Sequence, residues 1–238
     1  MSPFRIALVA ATALVASATA QAATISFGTT PASTSTLTTG LQTTNFTSSL
    51  AVPRFNTNLG TLTSVSIDFA GGVNSNIRFE SLDAAAATIT ATAAATVTLT
   101  RPDNSQLAVV LPTNQRSQSV TAFDNVIDFG GTSGATFNNV AGNLTAATVT
   151  LTTAPDLALF SSNGASNILL PVTGAGSSSA TGAGNLIVQI NTQASGSAFV
   201  TYTYNAATPP PTGVPEPASM ALLGAGLAGL GLLRRRKA

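Results

Sequence analysis

The stretch TITATAAATVTLT, from Thr88 to Thr100, decides the fold class. Ile89, Ala91, Ala93, Ala95, Val97 and Leu99 take alternate positions. Thr88, Thr90, Thr92, Thr96, Thr98 and Thr100 take the others, interrupted only by Ala94. Successive side chains of a strand point to opposite faces, so the segment sorts into one apolar and one hydroxyl face. A helix would mix the two sets. Threonine is also β-branched and suits a pleated surface.

The same alternation recurs on both sides of this segment. It runs through 61–69, where Val65, Ile67 and Phe69 face inward, and through 77–82, 106–111 and 120–129. Further runs cover 146–152, 157–160, 186–191 and 198–204, with 24–28 and 46–55 as two more. Turns are expected at Gly71-Gly72, Pro102-Asp103-Asn104, Gly130-Gly131, Gly142-Asn143 and from Gly174 to Gly184. No helical period stands out between 24 and 212. About ten short strands of this kind predict an all-β fold, an antiparallel β-sandwich of Ig-like or jelly-roll type. The Phe residues are its bulky core fillers, and alanine makes the core thin in places.

Composition excludes several functions. Only 7% of the 238 residues are charged, and there is no His, Cys or Trp. That removes the usual zinc sites, cysteine nucleophiles and Ser-His-Asp triads. Five of the nine basic residues lie at the two ends. Between 24 and 212, four arginines face seven acidic residues, a net charge of −3. No basic footprint for nucleic acid exists there.

The two ends read as addresses. Arg5 precedes an apolar run from Ile6 to Ala18, and Ala20, Ala22 and Ala23 supply small residues for cleavage. Residues 1–23 therefore predict a signal peptide for the Sec translocon, removed by signal peptidase. At the other end, Val214, Pro215, Glu216 and Pro217 precede an apolar run from Ala218 to Leu233. Arg234, Arg235, Arg236 and Lys237 follow as a basic cluster. The 16-residue run would span roughly 24 Å as a helix, short of a ~30 Å hydrocarbon core unless flanking basic residues snorkel. It predicts one short transmembrane helix with the basic cluster on the cytoplasmic side. Residues 24–205 are then the ectodomain and 206–213 a Pro-rich stalk.

The order Val-Pro-Glu-Pro, apolar helix, basic tail resembles the PEP-CTERM sorting signal of exported proteins in Gram-negative bacteria, many of which make exopolysaccharide. The resemblance implies recognition and cutting by an exosortase near Pro215-Glu216-Pro217, followed by release or transfer to another anchor. A second resemblance covers nearly all of 24–205. It is carried by Phe55 with Leu59-Gly60-Thr61-Leu62, Glu80-Ser81-Leu82-Asp83, Ala122-Phe123-Asp124, and Asp128 to Gly134. Asp156-Leu157-Ala158, Gly182 to Leu186 and Val200 to Tyr204 continue it. Together they are similar to the choice-of-anchor E domain, a family paired with interchangeable C-terminal sorting signals. Asn56-Thr57 stands where that family commonly has Asp-Pro. The family implies a surface or secreted domain and no specific activity.

Few residues are left for chemistry. Asp124 and Asp128, on one face of a strand at 120–129 and beside the carbonyls of Gly130 and Gly131, are weak calcium candidates; turn chemistry is the plainer reading. Glu80 and Asp83 are the nearest carboxylate pair for a hydrolase, but three residues apart they face opposite sides of a strand. Glu80 shares a face with Arg78, which predicts a surface ion pair. Tyr202 and Tyr204 offer a sugar-stacking pair or simple core filler.

The expectation is a non-catalytic surface or matrix protein without a cofactor. Its partners are the export and processing machinery, with exopolysaccharide or other copies of itself. A carbohydrate-binding module assisted by calcium is the alternative, and a carboxylate hydrolase the third reading.

Overall fold

The computed structural model describes residues 22–28, 37–207 and 224–227. In chain order the strands are β1 (Ala22–Gly28), β2 (Gln42–Thr43), β3 (Phe46–Pro53), β4 (Phe55–Asn56), β5 (Gly60–Ser81), β6 (Ala87–Thr100) and β7 (Gln106–Val110). They continue with β8 (Thr113–Val120), β9 (Gly134–Ala141), β10 (Thr145–Leu151), helix α1 (Ala154–Leu159), β11 (Ser161–Ser162), β12 (Asn167–Thr181) and β13 (Leu186–Ala206). Three of these thirteen strands have two residues, so ten strands carry the architecture.

Two long antiparallel sheets face each other. In the first, β13 pairs with β5 along its 21 residues, with one register shift near Thr203 and Tyr204. At about 3.4 Å per residue this ladder is roughly 70 Å long. β1 and β2 line the free side of β13, while β10 and β9 line the free side of β5. The second sheet runs β3, β12, β6, with β7 and β8 sharing the far side of β6.

The deciding stretch behaves as its alternation predicts. Ile89, Ala91, Ala93, Ala95, Val97 and Leu99 are all at most 2% exposed. Val65, Ile67 and Phe69 of β5 are fully buried opposite them. Packing divides into two clusters along the sandwich. The larger includes Phe55, Phe69, Phe160 and Tyr202, near the end where Ala206 pairs with Gly60. The smaller contains Ile77, Phe79, Ile89, Ala91, Val120 and Val140, toward the opposite end.

Several expected boundaries are corrected. Gly71-Gly72 is no turn, and the runs at 61–69 and 77–82 are one strand, β5. A Cβ on Gly71 would lie 2.5 Å from Val110 Cγ2. The glycine is there because the opposite sheet comes too close for a side chain. Gly174 likewise lies inside β12, where a Cβ would strike the Phe46 ring; only residues 182–185 near there form the turn. The runs at 186–191 and 198–204 are likewise one strand, β13. The expected strand at 157–160 is instead the end of α1. Thr153 caps it by accepting the Asp156 N–H, and a proline sits in its first turn.

Among the described residues no helix is long and apolar enough to cross a membrane. Of the expected transmembrane run, only 224–227 is described, as one helical turn. Ala20, the stalk residues beyond Ala207, the sorting motif 214–217 and the basic cluster 234–237 lie outside the described residues.

Candidate functional site

The expected strand at 120–129 does not form. β8 stops at Val120, and residues 121–133 make a loop. Asn125, Phe129 and Gly131 all take positive φ, which breaks a regular strand. Asp124 and Asp128 are therefore corrected from strand-face positions to loop positions. Both accept hydrogen bonds from their own loop. Asp124 Oδ1 accepts the Val126 N–H at 3.0 Å and Oδ2 the Thr132 N–H at 3.3 Å. These bonds hold the Asp124 carboxyl below the usual carboxylate range. Asp128 Oδ1 accepts the Gly130 N–H at 2.7 Å. Among the described residues no three acidic side chains cluster as metal ligands.

The loop folds back over Glu80. This carboxylate is fully buried, not a surface group, and the expected ion pair with Arg78 does not form. Glu80 Oε2 accepts the Phe129 N–H at 2.7 Å, and Oε1 accepts the Ser133 hydroxyl at 2.5 Å. Gly134 has no Cβ because one would collide with that carboxylate. Asp83 is occupied separately, accepting the Gly184 and Asn185 N–H groups at 2.6 and 2.9 Å. Its carbonyl accepts the Phe123 N–H. The four acidic residues thus gather at the end of the sandwich opposite Ala206. Each is spent on pinning a turn.

Loop closure creates the surface beside it. The Arg78 guanidinium lies over the Phe129 ring, 5.3 Å from its centroid. Arg78 stands between Gln189 of β13 and Thr136 of β9. One row along, Asn76 stands opposite Asn191. On the β9 side the register shifts, Asn139 takes φ 54°, and its N–H donates to Asn76 Oδ1 at 2.9 Å. This bulge brings Asn138 to the same depression. The result is a shallow polar groove of about 190 Å³. Its polar lining residues are all exposed.

No local pattern in the sequence marks this groove. Alternation at 186–191 already placed Gln189 and Asn191 on one face. Which residues stand beside them depends on pairing with a segment more than a hundred positions away.

The tyrosine pair is core filler in part. Tyr202 is fully buried, 6.0 Å from Phe27, and its hydroxyl donates to the Pro53 carbonyl at 2.7 Å. Burial pushes its phenol well above the usual range. Tyr204 is half-buried, 4.9 Å from Phe55. Neither offers a sugar platform. The ion pair among the described residues is Arg101 with Asp156, at 2.8 Å.

No curated protein matches the chain. Among solved structures, the Gx strain of infectious bursal disease virus aligns at 12% identity with a TM-score of 0.19, covering 79% of this chain and 37% of that one. The Gt strain of the same virus aligns at 12% identity with a TM-score of 0.15, covering 79% and 36%. The chain thus spans well under half the length of the viral chains it matches, and similarity this low carries no argument. Residues 213–237 match the PEP-CTERM protein-sorting motif, so this chain carries a C-terminal sorting signal that implies exosortase processing and a place at the cell surface.

Proposed function

We propose that the chain is a non-catalytic exported protein that works at the cell surface or in the extracellular matrix, in contact with exopolysaccharide or with other copies of itself. A signal peptide over 1–23 takes it through the Sec translocon. The run from Ala218 to Leu233 holds it briefly in the inner membrane, with the ectodomain outside. Exosortase then cuts near Pro215-Glu216-Pro217. The sandwich is of the choice-of-anchor E type, a reading supported by its motifs from Phe55 to Tyr204. The proposal does not call on calcium: Asp124 and Asp128 hold their own loop through backbone N–H groups.

One observation carries the proposal: a sorting motif at 213–237 follows a folded β-sandwich whose last strand ends at Ala206. Mass spectrometry of the secreted protein, from hosts with and without the exosortase, tests it. The expected product lacks the Ala218–Ala238 segment only when the enzyme is present. An intact C-terminus in both hosts overturns the proposal.

A further inference from the structure

In the groove beside Phe129, Asn76 Oδ1 is used by the Asn139 N–H, while the side chains of Asn138, Gln189 and Asn191 have no hydrogen-bond partner among the described residues. Asn76, Asn138, Gln189 and Asn191 bring four carboxamides from three adjacent strands to one exposed depression, with Arg78 at its edge. Each carboxamide combines donors with an acceptor, which matches the paired hydroxyls of a sugar ring. Arg78 has no acidic partner among the described residues. Glu80, its neighbour on the same face, is buried and spent on the loop. The guanidinium is oriented by the Phe129 ring and keeps its fork of donors for a planar anion. The depression of about 190 Å³ equals the volume of about six waters, the scale of one ring and not of a large ligand.

The geometry points to a binding site for an acidic polysaccharide, with Arg78 receiving the carboxylate of a uronate residue and Asn76, Asn138, Gln189 and Asn191 its hydroxyls. The groove is shallow and its polar lining is exposed, so a polymer can lie across it without entering a closed pocket. This inference rests on the proposed extracellular setting only in that such a polymer is within reach there.

The test is titration of the chain, as its host secretes it, with polygalacturonate, its methyl ester and dextran. Polygalacturonate is expected to bind, and the ester and dextran to bind at least about tenfold more weakly, the scale of one charge-assisted hydrogen bond. Arg78→Gln should bring polygalacturonate binding down to the level of the ester. Arg78→Lys should retain part of it, and Asn191→Ala should weaken all three. Gln118→Ala, on β8 away from the groove, should leave binding unchanged, and thermal melts would confirm that each variant folds. Absence of polygalacturonate binding, equal binding of the ester, or binding that survives Arg78→Gln each overturns the site. A correctly trimmed secreted chain that fails to bind removes this inference alone, whereas an untrimmed chain removes the sorting proposal.

Discussion

Ala22 of β1 stands directly opposite Asn205 of β13, and Ala23 opposite Tyr204. The entry and the exit of the sandwich are therefore neighbours in one ladder. The expected signal-peptidase cut, at the end of residues 1–23, falls inside that paired strand. A protease needs its substrate strand unpaired, so cleavage competes with folding.

The first prediction follows from that pairing. Folded full-length precursor should resist signal peptidase, while urea-unfolded precursor, or a chain ending before Leu186, should be cut quickly. A timed digestion with purified enzyme measures this. Equal rates for folded and unfolded precursor would contradict the register.

Gly71 and Gly72 are adjacent but should respond differently. Gly71→Ala pushes a methyl group into Val110 and should destabilise by about 1–3 kcal/mol, the usual range for overpacking. Gly72→Ala meets Ser195 Oγ at 3.2 Å, a contact that side-chain rotation relieves, and should cost less. Urea denaturation compares the two. Equal losses would restore the turn reading.

Glu80 holds the 121–133 loop. Glu80→Ala strands the Phe129 N–H and the Ser133 hydroxyl and should cost about 1–3 kcal/mol. Hydrogen exchange should speed up across the loop before the rest of the domain. Unchanged exchange at Phe129 would show that the carboxylate does not close the loop.

Asp156 carries the acid-sensitive ion pair. Arg101 is the main cause that holds its carboxyl below the ordinary value, with Thr153 helping. A lowered folded pKa adds stability that is present above the unfolded value, about 3.9, and is lost as pH falls through the folded one. The pair is near the surface, so Arg101→Ala should cost only about 0–1 kcal/mol at pH 7. The gap to the parent protein should close in acid, once pH has fallen through the lowered pKa of Asp156. Denaturation at pH 7 and in acid decides it; a gap that persists in acid would assign the loss to packing.

The core face was legible from local pattern because alternation is a property of the backbone itself. Ile89 to Leu99 needed no neighbour to declare their side. The glycines were misread for the opposite reason. Gly71 and Gly174 look like turn residues in a list, yet what excludes a side chain is an atom of another strand, Val110 or Phe46. Residues 120–129 alternate like a strand, but Asn125 and Phe129 turn left-handed and the segment becomes a cover for Glu80.

Sequence alone determined the all-β class, the apolar face of β6 and of the ends of β5, the lack of His and Cys chemistry, and the sorting motif; β12, with its glycines, was not legible as a strand. Those are local or compositional properties, readable one segment at a time. Tertiary structure decided that Glu80 is buried, that Arg78 rests on Phe129 instead of pairing with Glu80, and that carboxamides from β5, β9 and β13 share one groove. Each of these depends on register between strands far apart in the chain. Such register is set by packing across the whole sandwich, where a shift of one residue would turn every side chain to the other face.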